Sequence, residues 1–109
     1  MKLEKIIPSK TDGYKYDAIF IDDDKAQPTF GKEKIVHFGA SGYNDFILFN
    51  KEEGKVFANH RKDLYIMRHK MKEDWNDPTS RGALSRYILW NLPTLEASIA
   101  DYKKRFNLS

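Results

Sequence analysis

The hydrophobic period of this chain changes midway, and that change restricts the fold more than any single motif. Tyr14, Tyr16, Ala18 and Phe20 alternate with Lys15, Asp17 and Ile19, the two-residue period of a half-buried strand. After Asn59 the spacing widens: His60, Leu64, Met67 and Met71 fall at i, i+4, i+7 and i+11, one face of a helix. Two more short apolar runs belong to the first half, Leu3 to Ile7 (ended by Pro8) and Lys34 to Phe38. Loops rich in Asp, Gly, Pro and Ser separate them. Strands followed by helices, with no βαβ alternation, predict an α+β fold: a small antiparallel sheet from the N-terminal half, packed against two or three C-terminal α-helices. A length of 109 residues suits one domain over 1–109.

The helical half carries start and stop signals. Asn59 is a candidate N-cap for the first helix. Asp77 or Thr79 could cap a second, containing Ala83, Leu84, Tyr87, Ile88 and Trp90. Gly82 would cost that helix roughly 1 kcal/mol relative to Ala, which implies close packing there or a start after it. Pro93 ends it, and Thr94 caps a third helix whose inner stripe is Leu95, Ile99, Tyr102 and Phe106, with Lys103, Lys104 and Arg105 in the last turn. Between the halves lies Phe46-Ile47-Leu48-Phe49, then a polar run and Val56-Phe57. This predicts a hairpin turning near Gly54, with a strand running into a helix as the alternative. Trp75 precedes Asn76-Asp77-Pro78, and Trp90 precedes Asn91-Leu92-Pro93. Trp75, Asp77, Pro78, Trp90 and Pro93 are therefore expected to form structural junctions, with each indole pinned at a helix end, so that truncating either tryptophan acts mainly on folding.

Aromatic residues make up 14% of the chain, too many for a disordered segment. There is no cysteine, which removes disulfides and thiolate metal sites. No window approaches 18 uncharged apolar residues and the start has no long apolar stretch, so neither a membrane span nor secretion is expected. Charge is uneven, −1 over residues 1–50 and +4 over 51–109. Lys55, Arg61, Lys62, Arg68, Lys70 and Lys72 face one acid, Asp63, within 55–72.

That basic window holds the candidate contact surface. Arg61, Tyr65, Arg68 and Lys72 share the spacing of a helix face opposite the apolar one, with His69 and Lys70 beside them. Such a stripe could follow a phosphate backbone while Tyr65 stacks, or meet an acidic protein patch. A plain solvated face has the same pattern.

Other groupings carry less chemistry. Adjacent carboxylates at Asp22-Asp23-Asp24 point in alternating directions on an extended segment and suit a solvated turn better than a metal. His37, His60 and His69 lack ligand spacing and read as a strand residue, a boundary residue and part of the basic surface. No nucleophile elbow or phosphate loop occurs, and Gly39-Ala40-Ser41-Gly42 reads as a turn. A non-enzyme with no cofactor is expected.

The ordered runs Val36-His37-Phe38-Gly39-Ala40-Ser41-Gly42-Tyr43-Asn44-Asp45, Tyr65-Ile66-Met67-Arg68-His69-Lys70, Glu73-Asp74-Trp75-Asn76-Asp77-Pro78, Gly82-Ala83-Leu84-Ser85-Arg86-Tyr87-Ile88-Leu89-Trp90-Asn91, Pro93-Thr94-Leu95 and Ser98-Ile99-Ala100-Asp101-Tyr102 resemble a family of small uncharacterised proteins of nucleocytoplasmic large DNA viruses. The resemblance covers 33–106. Residues 1–32 lie outside it, as N-terminal strands or an arm. Family members run from the Gly-Tyr-x-Asp turn into a charged helix, whereas this chain has FILFNKEEGKVFANH, which leaves hairpin or helix open over 45–58. The resemblance implies no activity. It implies a non-catalytic structural or interaction protein, a minor capsid or virion component, whose partners are other viral structural proteins. The location would be the virion or the infected-cell cytoplasm. The alternative is a nucleic-acid-binding accessory protein using the basic helix face.

Overall fold

The computed structural model describes all 109 residues. Strands β1 (Lys2–Pro8), β2 (Tyr14–Ile21) and β3 (Glu33–Ala40) form an antiparallel sheet in the order β1-β2-β3. Helices α1 (Phe46–Glu53), α2 (Lys55–His69), α3 (Arg81–Leu84) and α4 (Leu95–Arg105) follow, and α3 runs straight into a π-helical turn, Ser85–Leu89. The fold is α+β. Its three strands lie where the alternating and short apolar runs predict them, and its helices number four.

Each inner position on β2 answers to the strand period. Ala18 and Phe20 are buried, as are Leu3, opposite Phe20 on β1, and Phe38, opposite Tyr16 on β3. These four meet Leu84, Ile88, Leu89 and Tyr102, which makes one core between the sheet and the C-terminal helices. Residues 1–32 thus supply two strands of the sheet and three core side chains, Leu3, Ala18 and Phe20. On α4 the expected inner stripe faces this core: Leu95, Ile99 and Phe106 pack against it and Tyr102 lies within it. The buried Tyr102 hydroxyl donates to the Pro78 carbonyl at 2.5 Å, tying α4 to the turn before α3. Thr94 caps α4, its side chain accepting from the Ala97 amide.

Several expectations are corrected. No hairpin forms over 46–57. Asp45 caps α1 by accepting from the Leu48 amide, and Gly54, at φ 92°, ends α1 and begins α2. A short apolar run has no periodicity that separates buried strand from helix, so only the Asp cap and the Gly stop distinguish them. α2 accordingly starts at Lys55, and Asn59 is an interior, exposed residue rather than its cap. The cap of α3 is Ser80, which accepts from the Ala83 amide, while Asp77 instead receives the Thr79 amide in an Asx turn. Gly82 lies inside α3, and a Cβ there would stand 3.1 Å from the Glu73 Cβ, so close packing is its reason.

The largest correction concerns the roll of α2. The stripe expected inside, His60, Leu64, Met67 and Met71, is exposed. The face turned to the protein carries Ala58, Lys62, Tyr65, Ile66 and His69, of which only Ala58 is fully buried. Helix α2 rests on α1 and on Trp90, not on the sheet, so its neighbours are aromatic and polar.

Candidate functional site

A cleft of about 730 Å³ opens between α2, the ends of β2 and β3, and the segment from α3 to Trp90. Its α2 wall contains Arg61, Tyr65, Arg68 and His69, four of the six residues singled out from sequence. Lys70 and Lys72 lie beyond the cleft and are exposed. The structure therefore divides the basic window: the arginines line the cleft and the last lysines lie outside it.

Tyr65 is the hinge of that wall. Its ring stacks on Trp90 at 4.5 Å and 8°, and on His69 at 4.3 Å and 25°. Burial pushes its hydroxyl pKa well above the usual tyrosine range. Tyr65 is thus a packed residue rather than part of an outer stripe, and His69 is half-buried rather than part of an open basic surface. The His69 Nδ1 lies 3.0 Å from Glu73 Oε1, and the Trp75 Nε1–H donates to Glu73 Oε2 at 3.1 Å. One carboxylate so fixes both the end of α2 and the Trp75 junction. Trp75 itself is half-buried, edge-on to Tyr87 at 6.4 Å.

The floor is tightly built. At Gly39, φ is 78° and an added Cβ would stand 2.7 Å from Leu89 Cδ1, so β3 approaches the π-helical turn as closely as glycine permits. Lys15 Nζ pairs with Asp45 Oδ2 at 2.7 Å, and both side chains are largely buried. That pair joins β2 to the N-cap of α1.

The remaining cations are less engaged. None of Arg61, Arg68 and Arg81 forms an ion pair with a carboxylate. Arg61 lies over the Phe49 ring at 5.3 Å. Arg81 lies over Tyr14 at 4.7 Å and donates from Nε to the His37 carbonyl at 2.8 Å. His37 in turn sits 2.5 Å from Asp17, and this hydrogen bond holds the Asp17 carboxyl below its usual range. At the lip, Tyr43 is 72% exposed, with no packing to account for an aromatic ring in that position.

A second surface lies beside the cleft on α2. Val56, His60 and Met67 form an exposed stripe along the helix, Leu64 borders both this stripe and the cleft, and Met71 continues it in the turn after His69. Val56 and Met71 are each 86% exposed and Met67 68%. The sequence signalled this stripe as a helix face, but periodicity cannot say which side of a helix the protein covers. The cleft's sheet side, Asp12 to Lys15 with Tyr43, was not singled out; only Tyr43, a large aromatic within a Gly-rich turn, carried a signal.

No group of three or more His, Asp or Glu side chains is arranged to hold a metal ion. No helix is long and apolar enough to cross a membrane.

Residues 4–52 match the model of a family of unknown function, DUF5754. The matched span contains β2, β3 and all but the first two residues of β1, with nearly all of α1 and the sheet side of the cleft, and ends before α2. No curated protein and no solved structure matches the chain.

Proposed function

We propose that this chain is a non-catalytic interaction protein that docks on a protein partner through the outer face of α2. The observation that supports this most is the exposure of Val56 and Met67 on α2 and of Met71 in the turn that follows it. Full burial of such side chains stabilises by about 1.5–3 kcal/mol each, so leaving them in water forgoes much of what a small fold can gain. Contiguous exposed apolar patches of this kind mark partner surfaces. Methionine suits the role because its unbranched side chain adapts to irregular grooves. The spacing fits a helix laid in a groove. Lys55, Lys70 and Lys72, set against Asp63 alone, call for a groove rimmed by carboxylates.

The likeness to proteins of large DNA viruses supports a setting among the structural proteins of a particle, as a minor capsid or virion component. A second reading, a nucleic-acid-binding accessory protein, is favoured by the unpaired guanidinium groups of Arg61 and Arg68.

Mass spectrometry of purified particles made with the wild-type chain or with Met67→Asp tests the proposal. The wild-type chain should be present, and the variant should be lost from particles while keeping its melting temperature. Absence of the wild-type chain, or equal incorporation of the variant, would overturn the reading.

A further inference from the structure

We infer that the cleft between α2 and the sheet is a binding site for a nucleoside phosphate, either free or at the terminus of a strand. This is a different site from the outer stripe of α2, and it stands or falls separately.

The anion requirement comes from Arg61, Arg68 and Arg81. They line one cleft from two different elements, and no carboxylate of the protein pairs with any of them. The cations and acids lining the cleft balance in number, so net charge alone would not select an anion. Pairing decides the matter. Asp45 is consumed by Lys15 and the Leu48 amide, and Glu73 by His69 and Trp75. Arginine presents a planar fork of donors that matches phosphate oxygens, and Arg81 has only its Nε committed.

The remaining lining asks for more than phosphate. Asp12 and Asp74 are exposed carboxylates on the same cleft, and they would repel a bare anion. They would accept hydrogen bonds from ribose hydroxyls or an exocyclic amine. Tyr43 offers a free ring face at the lip on which a base can stack. A nucleotide carries an anion, hydrogen-bond donors and a flat ring together, and the cleft presents a counterpart to each.

Size separates a nucleotide from a continuous strand. A cleft of about 730 Å³ is within the range of small-ligand pockets, roughly 300–1,000 Å³. A separate pointer is the π-helical turn Ser85–Leu89, which puts Ser85 and Leu89 in the lining. Such turns are rare and occur often at functional sites.

Isothermal titration of the full chain with AMP and UMP tests this, with inorganic phosphate, adenosine and short oligonucleotides with and without a 5′-phosphate as further probes. AMP or UMP should bind saturably, and phosphate or adenosine alone should bind at least roughly tenfold more weakly. Arg68→Ala should weaken binding by roughly tenfold or more, the loss of one charge-assisted contact. Because Arg68 is exposed and forms no ion pair, its melting temperature should not move. Tyr43→Ala should weaken nucleotide but not phosphate. Displacement of AMP by the 5′-phosphorylated oligonucleotide would assign the site to strand ends, and failure to displace would assign it to free nucleotides; both uphold terminal phosphate recognition. No saturable nucleotide binding, equal binding of the unphosphorylated oligonucleotide, or an Arg68→Ala variant that binds like wild type would overturn it.

Discussion

Helices α2 and α4 carry apolar stripes of the same helical spacing but place them in opposite environments. On α4, Tyr102 sits in the core and Leu95, Ile99 and Phe106 pack around it. On α2, the stripe from Val56 to Met71 faces water, and the side turned inward is Lys62, Tyr65 and His69. Helix α4 lies over the shared core of sheet and π-helical turn. Helix α2 is carried on α1 and held by ring stacking with Trp90. One helix therefore belongs to the fold, and the other is displayed by it. Amphipathicity buries a helix face only where the rest of the protein supplies a matching surface.

Removing what holds each helix should separate the two cases. The largest effect is expected on α4. Tyr102→Ala deletes a fully buried ring and its hydrogen bond to Pro78, and should destabilise the protein by about 3–5 kcal/mol in denaturant melts. An effect below about 1 kcal/mol would mean that α4 is not part of the cooperative core.

A smaller and more local effect is expected at the α2 support. Trp90→Ala removes the stack with Tyr65 and the contact with Phe49, but Trp90 is only half-buried. A loss of about 1.5–3 kcal/mol should follow, less than for complete burial. Amide exchange in α2 should rise more than in α4. Uniform loss of protection across the chain would show that α2 is part of the same cooperative unit as the core.

Much of the fold was legible in the residues. Alternation marked β2, and the Thr94 cap with the Leu95, Ile99, Tyr102 and Phe106 spacing marked α4, because in both places local preference and tertiary burial agree. At 46–57 they diverge: Phe46-Ile47-Leu48-Phe49 has strand-like composition, and Asp45 and Gly54 alone announced a helix. On α2 the periodicity gave a helix and two faces but not their assignment. The more apolar face was expected inside, yet α2 has no sheet beneath it, so aromatic stacking at Tyr65 sets the roll. The same rotation explains the candidate site. Arg61, Tyr65, Arg68 and His69 were found together on the basis of charge and spacing. The cleft they line needs Asp12 to Lys15 and Tyr43, which are distant in sequence and share no motif with them.

The contrast between the two helices is tested most directly by the rate at which hydrogen peroxide converts Met67 and Met71 to sulfoxides in the free, folded protein, followed residue by residue by mass spectrometry. Both sulfurs should react at the rate of free methionine, with no loss of melting temperature, because neither side chain is covered by the protein. Protection of both methionines in the isolated chain would contradict the account, since it would place the stripe of α2 inside the fold, as on α4.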